Sequence, residues 1–385
     1  MVNKITWVNF LHIYQPPWQS KGVVEQVASE SYDYLLTLLE KYPNFTISLN
    51  ISGSLAEQLN VYRPDLLKRL KSLITCGQVE LTGSSHYHAL LPLLPKVEIK
   101  RQIQLNQEAI DKYFAIKKMQ GFYLPEMAYS DQIAKIIKQL GFRWIILDPI
   151  HCPDKIQPGF NYIHKSTGLK VIFRDRQISK SYPAEIIFNK LKDNQSSQTI
   201  ISATDGEIYG HFHEDWQGCL EKILLNKNLS MPTVSQYLEV FRPVKKISLR
   251  PASWESLESE IKKGIPFALW DHPQNKIHQL LWSLVALSIK LVNKYKRDKN
   301  WSWARQHLDR GLTSCTFWWA SAQKPSDFSP LTWNPDMIDN GAEELIRSVR
   351  SLSLATSPEK IKAEKLYMGI KKNTWFNHWN KYNKK

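Results

Sequence analysis

The sequence predicts an α/β fold: an incomplete (β/α)7 TIM-like barrel over residues 1–275, followed by a C-terminal helical bundle over 276–385. Three observations predict it. Apolar runs alternate with amphipathic segments through the first 205 residues, the pattern of a parallel sheet covered by helices. Several of those runs end in polar or ionisable residues, which is where a (β/α) barrel carries its chemistry. From about residue 276 the chain changes to long helical patterns joined by short Pro, Asn and Ser connections, as in an antiparallel bundle.

Strands are expected at Ile5–His12, Phe45–Ile51, Val79–Gly83, Gln120–Leu124, Arg143–Leu147, Lys170–Arg174 and Thr199–Thr204. Between them, VEIKRQIQLNQEAIDKYF (97–114) and SDQIAKIIKQLGF (130–142) place apolar residues near the helical period, and a Gly stops the second. Residues 215–275 read as irregular, with one candidate strand in KKISLRPASW (245–254). The bundle is expected from KIHQLLWSLVALSIKLVNKYK, WARQHLDRGLTSCTFWWASA, PDMIDNGAEELIRSVRSL and SPEKIKAEKLYMGIKK.

A chain of 385 residues has room for a large core. No run approaches the roughly eighteen apolar residues of a membrane span, so no membrane partner is expected. The formal charge of +15 would attract nucleic acid. Its lysines are spread along the whole chain, however, without an RNA-binding signature or zinc finger, so no nucleic-acid partner is expected and the charge reads as a solvated surface. The start, MVNKITWVNFLHIYQPP, reads as a first strand and not as a signal peptide. Together with Cys76, Cys152, Cys219 and Cys315, which lack CxxC spacing, it points to the cytoplasm. The oligomeric state is left open. Fourteen tryptophans are many for this length, with Trp282, Trp301, Trp303, Trp318 and Trp319 close together. Most belong to the core, and a few suit flat platforms for sugar rings.

Strand ends name His12, the Ser84, Ser85, His86 and His88 group, Glu126 and Asp205 as site candidates. Pro125 fixes its own φ and disfavours the helical conformation at Leu124, which projects Glu126 at the strand end. A lone Glu there is ordinarily solvated or capping; Asp205 supplies the partner. Two carboxylates on one rim are what glycoside hydrolysis needs, and a separation of about 5 to 5.5 Å would make the enzyme retaining. His86 and His88 point the same way if extended, and with His12 could hold a metal or donate to sugar hydroxyls. Glu80 sits inside a strand, where burial would demand a partner. In ISATDGEIYGHFHEDW (201–216), Glu207 follows Asp205 by two residues, His211 and His213 are contact candidates, and Glu214 and Asp215 suit the first turn of the next helix.

LHIYQP (11–16), GQVELTGSSHYHALLPLL (77–94), GFYLPE (121–126), ATDGEIYGH (203–211) and HLDRGLTSCTFWWAS (307–321) resemble, in order and spacing, the five sequence regions of glycoside hydrolase family 57. The resemblance implies retaining α-glycoside chemistry with no catalytic metal or cofactor, on an α-glucan or oligosaccharide. It makes Glu126 the nucleophile and Asp205 the general acid/base. It places His12, Glu80, Tyr123, Trp318 and Trp319 at the sugar subsites, and Tyr14, Gln15, His86, His88, Glu207 and His211 join them as expected substrate contacts by their place beside these motifs. Tyr14 stands where the family usually has a second His, and Cys315 and Thr316 where it often has an acid, so no single named activity carries over. Two other readings compete. One is a metal-dependent polysaccharide deacetylase or α-mannosidase-like hydrolase using His12, His86 and His88; the other is a non-catalytic glycan-binding protein.

Overall fold

The computed structural model describes residues 4–157, 159–192, 198–240, 242–324 and 331–382. They form two compact units, Met1–His86 with Leu94–Trp254, and Tyr87–Leu93 with Glu255–Lys385. The division expected at residue 276 therefore falls at 255. Phe267, Ala268, Leu269 and Trp270 are buried, and the Trp282 indole donates to the Trp270 carbonyl (3.0 Å), so this stretch packs with the helices that follow it.

The first unit holds ten strands among the described residues: β1 Ile5–Ile13, β2 Ile47–Ile51, β3 Val79–Leu81, β4 Gly121–Phe122, β5 Trp144–Leu147, β6 Asn161–His164, β7 Lys170–Phe173, β8 Gln198–Asp205, β9 Leu229–Ser230 and β10 Val244–Ile247. They make two five-stranded sheets, β3-β2-β1-β8 with β9 also on β1, and β10-β6-β7-β5-β4. All seven expected strands are present, shifted at their ends by up to two residues. Pairing is parallel except between β6 and β7. β1 is buried along all but one residue, as a strand covered on both faces requires. The sheets meet at the Gly83–Phe122 bridge, where the Gly83 amide donates to Gly121 (3.0 Å) and the Tyr123 amide to Gly83 (2.8 Å). A further bond runs from the Asp175 amide to the Ile201 carbonyl (2.6 Å).

Residues 215–275 are not irregular throughout. They hold β9, β10 and the helices Cys219–Leu224, Val234–Glu239 and Glu258–Lys262. Asp215 lies outside the first of these and caps it, accepting from the Cys219 and Leu220 amides (both 2.8 Å). The candidate strand is reduced to β10, and by Arg250 the chain has turned to bond the His151 carbonyl (2.9 Å). The segment at 130–142 forms Asp131–Gln139, capped by Ser130, and Gly141 takes a φ of +94° just beyond it.

The second unit is helical. Pro335–Arg350 packs against Lys276–Lys294, Trp301–Gly311 and Ser357–Asn377. The run expected as one helix around 303–322 is two, Trp301–Gly311 and Ser314–Trp318. A Cβ at Gly341 would meet Thr316 at 1.8 Å, so this close approach accepts no side chain. Among the described residues, no helix is long and apolar enough to cross a membrane.

Candidate active site

The site grows from the C-terminal ends of β1, β2 and β8. Register places His12 between Asn50 on one side and Asp205 on the other. Asn50 donates through Nδ2 to the Thr82 hydroxyl (3.3 Å), which turns its Oδ1 toward His12 Nδ1 (2.8 Å). Nδ1 therefore carries the hydrogen and Nε2 is left as an acceptor. Burial pushes the imidazole down to about 4, against the raising effect of the Asn50 bond, so it is neutral in ordinary buffers.

Tyr123 follows β4 and stacks on His12 with ring centroids 4.5 Å apart. Phe10 stacks on it at 5.4 Å, and Trp254 stands edge-on at 6.2 Å. The phenol is buried and its hydroxyl has no partner among the described residues. Burial keeps it protonated, and the charges of Asp205, Glu126, Arg174 and Glu207 all bear on it. Tyr14 lies parallel to His12 at 6.4 Å.

Glu126 occupies the left-handed region at φ +60°, with Met127 at +49°, a conformation that costs a non-glycine residue energy. The chain clamps it there. The Trp254 amide donates to the Glu126 carbonyl (3.1 Å), the Tyr129 amide to Ala252 (2.9 Å), and the Trp254 indole to the Glu126 carboxylate (3.0 Å). His151 Nε2 faces the carbonyls of both Met127 (2.8 Å) and Ala252 (3.0 Å), tying the two segments together. Backbone strain of this kind is concentrated where function demands a set direction.

Asp205 is the last residue of β8 and is exposed, whereas Glu207, two residues on, is buried. Tyr32 donates to the Glu207 carboxyl (2.5 Å) and Gln15 to the same oxygen (3.4 Å). Burial first, and the charge of Asp205 second, raise Glu207 to about 8.

Arg174 directly follows β7 and is buried. It donates through Nε to the Asp148 carboxylate (2.8 Å) and through Nη1 to the Ala203 carbonyl (3.1 Å), and lies over the Trp254 ring at 5.0 Å. Its Nη2 has no partner among the described residues. Sequence reasoning missed Arg174, Asp148, Trp254, Tyr32 and Asn50. Arg174 and Asp148 stand at strand ends, where the rule that named Glu126 and Asp205 would also have named them.

Other expected contacts lie elsewhere. The Glu80 carboxylate accepts from Ser48 (2.8 Å), from the Ser235 amide (3.1 Å) and from the Ser235 hydroxyl, at the start of the Val234–Glu239 helix. His86 is buried against Gly53, where a Cβ would meet its ring at 2.3 Å, and its Nε2 lies 3.6 Å from Glu57. His88 belongs to the second unit, has φ +54° and pairs its Nδ1 with the Ser314 hydroxyl (2.8 Å). That φ breaks the extended geometry on which a shared His86–His88 face depended. Among the described residues, no group of three or more His, Cys, Asp or Glu side chains is placed to hold a metal. His211 bonds Glu30 (2.5 Å). Trp318 and Trp319, in the second unit, are half-buried and edge-on at 4.5 Å.

Comparison with known proteins bears on the family and the fold. The α-amylase of Pyrococcus abyssi is 25% identical over 272 residues, covering 65% of this chain and 41% of the relative. The 4-α-glucanotransferase of Thermococcus litoralis is 24% identical over 274 residues, covering 66% and 41%. The chain thus spans about two fifths of the length of these curated relatives. Among solved structures, the Thermococcus litoralis 4-α-glucanotransferase superposes with a TM-score of 0.72 at 19% identity over 91% of this chain and 60% of that one. The α-amylase AmyC of Thermotoga maritima superposes with a TM-score of 0.66 at 14% identity over 96% and 97%. At these identities the structures speak to the fold alone. The sequence model of glycosyl hydrolase family 57 matches residues 10–250, and the chain belongs to that family.

Proposed function

We propose that this protein is a retaining glycoside hydrolase or transglycosylase acting on α-linked glucans by double displacement. In this reading the two sheets are the parts of an incomplete (β/α)7 barrel, and the ends of β1 and β8 with the turn after β4 form its catalytic rim. The observation that carries it is the convergence on Tyr123 of Glu126, Asp205, Glu207 and Arg174, with Glu126 held at a strained φ by Trp254. The names of the curated relatives, α-amylase and 4-α-glucanotransferase, support the substrate class.

Ionised Glu126 attacks the anomeric carbon while protonated Asp205 donates to the glycosidic oxygen. That C–O bond breaks and a glycosyl ester forms on Glu126. Asp205, now a carboxylate, takes a proton from water or a sugar hydroxyl, whose oxygen displaces Glu126. Two inversions retain the configuration. Glu207 stands two residues from Asp205, and burial first and the Asp205 charge second raise it to about 8, so the pair does not carry two full charges near neutral pH. His12, kept neutral by burial and oriented by Asn50, suits contact with a sugar hydroxyl, and Tyr14, Gln15 and His211 extend the sugar contacts. The resemblance adds Trp318 and Trp319. The metal-hydrolase reading loses support because His88, at φ +54°, departs from the extended conformation that reading assumed.

The test incubates purified protein with maltooligosaccharides and separates the products by size. Glu126→Ala and Asp205→Asn are expected to lower turnover by roughly three orders of magnitude or more with unchanged circular dichroism. Undiminished turnover in either variant overturns the assignment, and wild-type protein that binds glucan without product favours the binding-protein reading.

A further inference from the structure

We propose that Phe212 and Trp216 form a surface platform that holds an α-glucan chain outside the catalytic centre. The choice of ligand rests on the function proposed above. Phe212 is 68% exposed and Trp216 88% exposed, four residues apart on the loop after Asp205. These are the two most exposed Phe and Trp side chains among the described residues, and a flat ring is the surface to which the C–H face of a sugar stacks.

The loop beneath them is firmly built. The His211 and Phe212 amides donate to the Glu207 carbonyl (3.2 and 2.9 Å), and the Gly210 amide to the His213 carbonyl (3.0 Å). Gly210 has φ +102°, and a Cβ there would meet the Glu30 carbonyl oxygen at 2.0 Å, so the turn lies directly on the Glu30 backbone. His213 stacks on Tyr182 at 4.2 Å, and the Tyr182 hydroxyl donates to Asp215 (3.0 Å), which also caps the Cys219–Leu224 helix. Both rings therefore project from a fixed base, and a ligand pays little to order them.

The occupant follows from position and chemistry. The Phe212 amide bonds the Glu207 carbonyl (2.9 Å), so the loop carrying the rings is tied directly to the proposed catalytic rim. The exposed polar residues between and beside the rings, Glu214 and Gln217, suit sugar hydroxyls better than the apolar side chains of a protein interface. Such a site serves only substrates long enough to reach it.

The experiment measures migration of Phe212→Ala, Trp216→Ala, the double variant and Trp216→Phe in native gels containing glycogen, alongside turnover of maltotriose. Glycogen is expected to retard the wild-type protein. Each alanine variant should bind roughly 2- to 10-fold more weakly, Trp216→Phe should keep most of the affinity, and maltotriose turnover should stay within about twofold. Equal retardation of all variants, or no retardation of the wild type, overturns the platform. So does a parallel loss of maltotriose turnover, which would put these rings in the catalytic site, or a wild-type dimer that Trp216→Ala disperses in sedimentation. Trp216-dependent glycogen binding without any turnover sustains the platform and defeats the enzymatic reading instead.

Discussion

Glu207 keeps its proton in the folded protein to about pH 8, against 4.5 for an ordinary glutamate. The folded state thus binds that proton more tightly than the unfolded chain. Its stabilising contribution is complete below about 4.5 and is lost as the pH climbs through 8, by about 1 kcal/mol per pH unit inside that window. Wild-type protein is expected to show a melting temperature that declines across the window, and Glu207→Gln a shallower decline. Parallel curves for the two would contradict the buried proton. Glu126, Asp205 and His12 were legible as strand-end residues because the strands themselves are strongly apolar. Trp254 and Tyr32 were not, because each reaches its carboxylate from a distant segment, 128 and 175 residues away in sequence. No local pattern encodes such a meeting.

Among the elements, β3 shows how one carboxylate can serve the fold. Glu80 takes two donors from Ser235 and one from Ser48. Ser48 in turn accepts from the Val234 amide (2.8 Å), and Ser235 from the Trp144 indole (2.9 Å). Removing the charge-bearing acceptor leaves those donors poorly matched. Glu80→Ala should therefore cost about 1–3 kcal/mol in denaturant unfolding while turnover per folded molecule stays within about threefold. A loss of turnover with stability intact would return Glu80 to the sugar. Element boundaries follow similar logic. The β6–β7 hairpin was missed because Asn161–His164 alternates too briefly to stand out, although the Ser166-Thr167-Gly168 turn with Gly168 at φ +70° is a hairpin signal in its own right. The helix break at Leu312 and Thr313 was hidden because both residues fit the apolar period, yet they end the Trp301–Gly311 helix where Ala89 bridges to Thr313.

For the whole molecule the formal charge of +15 and the isoelectric point near 9.4 separate two kinds of binding. An α-glucan is uncharged, so its retention should hold steady as salt rises from about 50 to 200 mM, whereas any adventitious nucleic-acid association should fall by orders of magnitude over that range. Salt-sensitive glycogen binding would point to charge, not to stacking. The left-handed backbone at Glu126 has a consequence for lineage as well as for catalysis. On the proposed mechanism, replacing this acid by glycine would remove the nucleophile and relieve the main chain in one step, since glycine alone is indifferent to that φ. Selection for turnover is then the force that keeps an acidic side chain where the fold would accept a smaller one. Descendants released from that selection have an easy route to becoming stable, silent proteins.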